Sequence, residues 1–247
     1  MLLVIDIGNT SAKFGVFDDE TLVGRIISPT VRTATAAEIK QSAKVTQTIS
    51  AFIISSVVPE LNNAYREFAE EYFNVTPIFV DKTFDFGLKI KYNPPENLGI
   101  DRIVDAFAAV EKYGKPCIVC DFGTATTIDA VNSRSEYLGG IIAPGIRTLA
   151  ESLHLKTSKL PQIEIKKPAN VIGNSTVASI QSGIFFGYLG LVENILRKMS
   201  EELKEKPRVI ATGGFANLIA ENVEVIETVD EDLMLDGLRL IYAKMNS

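Results

Sequence analysis

A chain of 247 residues, 46% of them hydrophobic, can bury a full core without disulfide or metal support, and it suits one large domain or two of ordinary size. Its net charge of −6 excludes the broad basic field that nucleic acid or an anionic membrane surface would require, so any anionic ligand must be held by local groups. The opening MLLVIDIGNT has neither the basic start nor the apolar length of a signal peptide, and no stretch reaches membrane-helix length. A cytoplasmic chain that starts directly on a core strand is expected.

In chain order, the pattern predicts strands over 2–6, 12–17 and 22–27, with a tight turn after the first and the Asp18-Asp19-Glu20 turn after the second. A helix follows around 35–46, then a buried strand over 51–55, an amphipathic helix over 59–73 and a short strand over 77–80. The segment NLGIDRIVDAFAAV turns helical at its Ile-Asp-Arg. The same order then restarts with strands over 117–121, 126–131 and 137–142. Helices near 145–154 and 176–204, a strand over 208–212, the pair Gly213-Gly214 and a terminal helix over 231–243 complete the chain. This predicts a duplicated mixed α/β domain, two lobes with a central cleft, divided into residues 1–115 and 116–247. Residues 156–173, with Pro161 and Pro168, read as a long ordered loop.

Cys117 and Cys120 have C-x-x-C spacing, but they lie in a strand, where residues three apart point to opposite faces. A redox pair would sit at a helix start and a zinc site would need two more ligands, so both are expected to be small buried hydrophobes. His154, the only histidine, ends a helical stretch with no triad-type residue near it in sequence, which predicts a satisfied or surface side chain.

Two motifs carry the chemistry. Asp6-Ile7-Gly8-Asn9-Thr10 and Asp121-Phe122-Gly123-Thr124-Ala125-Thr126-Thr127 each place an acid at the end of an apolar strand and a glycine two residues on, and Asp121 follows Asp6 by 115 positions. One such turn is an ordinary hairpin; two at repeat-equivalent positions, both flanked by threonines, point to a phosphate clamp. Hydroxyls, turn N–H groups and Lys13 can meet phosphoryl oxygens, and Asp6 can hold Mg²⁺ through water. No Walker-type loop and no dinucleotide fingerprint occurs.

The paired motifs resemble those of the actin, sugar-kinase and heat-shock-chaperone ATPase superfamily, whose actin-like (ribonuclease H-like) lobes clasp ATP. Within it, six elements are similar in order and spacing to type III pantothenate kinase: DIGNT with Lys13, Gly99-Ile100-Asp101-Arg102, DFGTATT, GGIIAPG at 139–145, KLP at 159–161 and TGG at 212–214. The resemblance implies ATP-dependent phosphorylation of pantothenate with Asp101 as general base and Arg102 beside it. It implies ATP contact by Asp6, Ile7, Gly8, Asn9, Thr10, Ser11, Ala12, Lys13 and Thr124, and substrate contact by Tyr92, Gly99, Ile100, Asp101, Arg102 and Thr176. Asp121 would bind K⁺ or NH₄⁺, and the partners would be ATP, pantothenate and a second copy in a homodimer, with no nucleic acid and no membrane.

Each assignment has a plainer counterpart. Asp101 suits the first turn of any helix, because the dipole favours an acid there. Asp129 reads equally as a second acid or as a polar position on a half-exposed strand. Gly213 and Gly214 fit a backbone approach to adenosine or a simple strand-to-helix turn, and the crowded aromatics of 180–196 fit a partner interface or an interior. Ile100 stands where the family more often has alanine, and it either narrows the pocket or faces the helix core. Two rival functions remain: a kinase of another small hydroxylated or carboxylic acid on the same fold, which would lack the Gly-x-Asp-Arg element, and a non-enzymatic accessory or regulatory homologue, which would have lost the acids.

Overall fold

The structure, a computed structural model, describes residues 1–246. The run LLVIDI forms β1 (Leu2–Ile7), buried along its whole length as a strand inside its sheet must be. β2 (Ser11–Asp18) pairs antiparallel with it, and β3 (Thr21–Pro29) extends the meander with the alternating exposure of an edge. Helix α1 (Ala36–Ala43) begins at a capping box, in which Thr35 Oγ1 accepts from Glu38 N–H and the Glu38 carboxylate accepts from Thr35 N–H at 2.8 Å. Next come β4 (Ala51–Ser56), parallel to β1, then α2 (Asn62–Phe73) and the two-residue β5 (Ile78–Phe79), giving the order β3-β2-β1-β4-β5. Leu3, Ile5, Ile7, Phe14, Phe52 and Ile54 face a core shared with Ile39, Tyr65 and Phe68 of the two helices.

The second sheet repeats the first. β6 (Lys89–Ile90) is an added edge strand, and after α3 (Ile100–Tyr113) the strands β7 (Cys117–Phe122), β8 (Ala125–Val131) and β9 (Glu136–Pro144) form an antiparallel meander. After α4 (Ile146–Lys156) and α5 (Thr176–Leu203), β10 (Arg208–Thr212) lies parallel to β7, and α6 (Ala216–Ala220) leads to β11 (Thr228–Val229). The order β11-β10-β7-β8-β9 matches β5-β4-β1-β2-β3 strand for strand and direction for direction, so the expected duplication is a property of the fold. Helix α7 (Leu233–Met245) returns to β1, β2 and β4.

Two units result, one of Met1–Leu88, Asn93–Ala108 and the residues from Asp232 on, the other of Lys89–Tyr92 and Ala109–Glu231. The strands β5, β6 and β11 and the five-residue α6 are too short to show a period, which is why β6, α6 and β11 left no readable sequence signal. Cys117 and Cys120 are buried free thiols, as expected. The aromatic segment of α5 is interior on one face: Ile180, Phe185, Tyr188, Leu189, Val192 and Leu196 are buried, whereas Gly183, Gly187 and Gly190 lie exposed along the opposite side. Among the described residues no helix is long and apolar enough to cross a membrane.

Candidate active site

Alternation along β1 decides where its acid points. Leu3, Ile5 and Ile7 enter the helix-covered core, so Asp6 faces the other side of the sheet and is 8% exposed. Its cross-strand neighbours in register are Lys13 on β2 and Ser55 on β4. Ser55 is fully buried, and its Oγ has no hydrogen-bond partner in the protein. Such an atom beside a carboxylate calls for a ligand, ion or water. The turn between the strands closes by Gly8 N–H donating to Ser11 O at 3.1 Å, and it is braced from the residue just after β3 by Thr30 N–H to Thr10 O at 2.9 Å and Thr30 Oγ1 to Gly8 O at 2.7 Å. Asn9 and Thr10 are left exposed at the tip. Ile7 and Ala12 put fully buried side chains in the core, so of the run 6–13 these two can offer a ligand only their backbone.

Residues 99–102 lie in the same unit. Asp101 sits in the first turn of α3, half-buried, with Oδ1 accepting from Arg102 N–H at 2.9 Å. A Cβ on Gly99 would overlap Asp101 Oδ1 and stand 3.4 Å from its Cγ, so the glycine makes room for the carboxylate. Arg102 is 6% exposed and Ile100 is 9% exposed. That burial favours the helix-core reading of Ile100.

The second unit rebuilds the first acid's surroundings. Ile118, Cys120 and Phe122 enter the core, and Asp121 faces the other side with Thr127 and Thr212 as its register neighbours. Thr212 occupies the position of Ser55 and shares its property: it is 2% exposed, and its Oγ1 has no hydrogen-bond partner in the protein. Gly123 N–H donates to Ala125 O at 3.1 Å, and the exposed Thr124 turns its carbonyl to Gly145 N–H at 3.0 Å and Thr148 Oγ1 at 2.7 Å. Sequence reasoning missed Ser55 and singled out Thr212 only as part of a motif. The missing signal is cross-strand register, which no sequence spacing displays.

Tyr92, in the second unit, lays its ring beside Gly139, where a Cβ would stand 3.3 Å from Tyr92 Cδ2 and where φ is +103°. Thr176 opens α5 behind its cap Ser175 and lines an open cavity of about 650 Å³ with Leu153, Leu160, Ser179, Ile180, Gly183 and Ile184. Asp129 is not on a half-exposed surface: it is 3% exposed and accepts from the Tyr137 hydroxyl at 2.5 Å, and its Oδ1 lies where a Cβ on Gly140 would come within 2.7 Å, so that glycine makes room for it. His154 is exposed, its Nδ1 at 2.8 Å from Leu160 O, a local bond at the end of α4. Among the described residues no three His, Cys, Asp or Glu side chains gather as metal ligands.

Two buried tyrosines sit near the motif acids. Burial, reinforced by the Asp6 charge, pushes the Tyr65 hydroxyl up to about 12. Burial also lifts Tyr188 to about 12 despite its hydrogen bond with Thr126 Oγ1, and burial alone lifts the Cys117 thiol to about 12. Because these groups would ionise near 9.0 to 10.0 in the unfolded chain, the stability they contribute is complete below that range and is lost as pH climbs toward 12. The urea midpoint should therefore fall steadily above about pH 9, and Tyr188→Phe should make the fall shallower. A midpoint that stays level through this range would contradict the buried, neutral state of these groups.

Comparisons with known proteins bear on the family and the fold. The family described as "Type III pantothenate kinase" matches residues 2–198. A type III pantothenate kinase of Halalkalibacterium halodurans is 45% identical, covering 99% of either chain. Among solved structures, one described as a Baf family transcriptional activator from Campylobacter jejuni superposes with a TM-score of 0.63 at 22% identity, covering 99% of this chain and 98% of that one. An N-acetylglucosamine kinase structure from Porphyromonas gingivalis gives 0.53 at 13% identity over the whole of both chains. Identities this low show the fold alone, that of the actin-like sugar kinases. Full-length identity at 45%, together with the family match, shows more: the chain is an enzyme of the type III pantothenate kinase family.

Proposed function

We propose that this enzyme transfers the γ-phosphoryl group of ATP to the primary hydroxyl of pantothenate, the first step of coenzyme A synthesis. The observation that carries the reading is the full-length identity with a chain named for that activity. The geometry supports the division of roles.

ATP phosphates meet the 6–13 turn through Asn9, Thr10, Ser11 and Lys13 and through the backbone of Ile7, Gly8 and Ala12, with Thr124 contributing from the second turn. Asp6 with the partnerless Ser55 hydroxyl in its row is a set of hard oxygen donors that fits Mg²⁺ held through water. When bound, the ion offsets phosphate charge. Asp121 with the Thr127 and Thr212 hydroxyls in its row is likewise an all-oxygen set, and it fits K⁺ or NH₄⁺.

Asp101 accepts the hydroxyl proton of pantothenate. A carboxylate is a weak base for an alcohol, so the transfer comes late, as the bond to phosphorus forms. Arg102 steadies the transferred group, and the N–H groups at the start of α3 suit the pantothenate carboxylate. Tyr92, Gly99 and Thr176 complete the acceptor site, to which the buried Ile100 can offer only its backbone. In this reading the acceptor element belongs to the lobe 1–115 and the cation turn to the lobe 116–247.

A coupled ADP-release assay with Mg²⁺ tests the proposal. Turnover should require pantothenate and rise severalfold when Na⁺ is replaced by K⁺ or NH₄⁺. ADP release equal to the blank without pantothenate would sink the function, and equal rates in Na⁺ and K⁺ would sink the cation role. We also propose a homodimer, for which the exposed glycine side of α5 offers a surface that a partner helix can approach closely. Sedimentation equilibrium should read twice 27.0 kDa, and a single-chain mass would refute it.

A further inference from the structure

The loop after β3 holds an arginine that the assignments above do not use. Arg32 Nη2 donates to Asn9 Oδ1 at 3.0 Å, and its Nη1 forms an ion pair with Glu60 in the short helix that follows β4. Its side chain is 58% exposed and that of Glu60 46%. Three separate bonds thus tie residues 30–32 to the turn at 8–10: Thr30 N–H to Thr10 O, Thr30 Oγ1 to Gly8 O, and Arg32 to Asn9. The duplicated fold makes the placement specific. Pro29 and Pro144 end the third strand of each sheet in equivalent register, opposite Ser11 and Ala125, and the third residue beyond each proline is an arginine. In the second unit Arg147 lies over the Phe215 ring, 5.3 Å from its centroid; in the first, Arg32 is aimed at the tip of the turn.

Resting on the reading of the 6–13 turn as the ATP site, we infer that Arg32 is a further ligand of the nucleotide polyphosphate, exchanging Glu60 for phosphoryl oxygens when ATP binds. Guanidinium offers a planar fork of donors that matches two phosphate oxygens at once. Its partner carboxylate is half-exposed and singly charged, and an ion pair of this kind is weak and easily exchanged. A triphosphate presented at Asn9 carries more negative charge within reach of the same fork. Lys13, in register with Asp6, is committed to that row on the strand, whereas Arg32 enters from the loop at the other end of the turn.

Calorimetric titration with the non-hydrolysable analogue AMP-PNP and Mg²⁺ tests this without turnover. Arg32→Ala should weaken binding at least tenfold with an unchanged melting temperature, and Arg32→Lys should recover only part of the loss because one ammonium cannot make the paired contact. Glu60→Gln, which removes the competing charge, should bind AMP-PNP as tightly as the wild type or more so. Arg32→Ala within twofold of the wild type overturns the inference, as does a loss in Glu60→Gln that matches Arg32→Ala, since that would make the ion pair a structural staple. Failure of the wild type itself to bind AMP-PNP would refute the ATP reading of the turn instead, so the two failures are distinguishable.

Discussion

Asp101→Asn should lower kcat by about 10²–10⁴-fold, the range that a positioned general base supplies, while AMP-PNP binds within twofold of the wild type. The substitution is nearly isosteric. Asn Oδ1 can still accept from Arg102 N–H, the bond now made at 2.9 Å, so the first turn of α3 has no cause to move. What is lost, on the proposed mechanism, is the charge that draws the hydroxyl proton as the phosphoryl group arrives. Because the proposed nucleotide turn lies on β1 and β2 and the carboxylate on α3, the defect should appear in kcat and leave KM for ATP largely alone. A variant that keeps near-normal kcat would remove Asp101 from the base role. A variant that fails to bind AMP-PNP would show that the acid shapes the nucleotide site as well.

The duplication was legible because it repeats strong signals: apolar strands, Asp-x-Gly turns and a shared interval. Long elements such as α5 were legible for the same reason, as was the burial of the two cysteines, which follows from strand alternation. What stayed hidden depends on register and layering. Nothing in the spacing of Ser55 announces that β4 will pair with β1 so as to set its hydroxyl beside Asp6, and nothing near Asp129 announces that Tyr137 will reach back to it across a bulge between Ala130 and Val131. Arg32 escaped notice for a related reason, since it is close to Asn9 only through the meander. The pairing of Ser55 with Thr212 across the two units shows what register adds: each acid has a buried, partnerless hydroxyl on the parallel strand beside it. That common feature is the structural support for the proposal that each turn holds a ligand at its acid.

The two adjacent glycines at the end of β10 were equally well explained from sequence by ligand approach or by a turn, and the structure separates them. Gly213 has φ of +92°, and a Cβ there would stand 2.7 Å from Phe122 N and strike Asp121 Oδ1. Its constraint is internal, the close passage of the chain against β7. Gly214 is exposed, and a Cβ on it meets nothing within 4 Å. Gly213→Ala should therefore destabilise the protein with no ligand present, by about 2–4 kcal/mol from the left-handed backbone plus the overlap. For a chain of this size that lowers the melting temperature by roughly 5–15 °C. The same overlap pushes on Asp121, so under the proposal that Asp121 holds K⁺ the K⁺ needed for half-maximal activity should rise in whatever fraction stays folded. Gly214→Ala should leave the melting temperature unchanged. If adenosine does pass close to this backbone, Gly214→Ala should raise KM for ATP severalfold with kcat preserved. Unchanged KM would leave the Gly-Gly pair as a turn and move the adenosine contact elsewhere, while a melting temperature unchanged in Gly213→Ala would contradict the packing of this turn against Phe122.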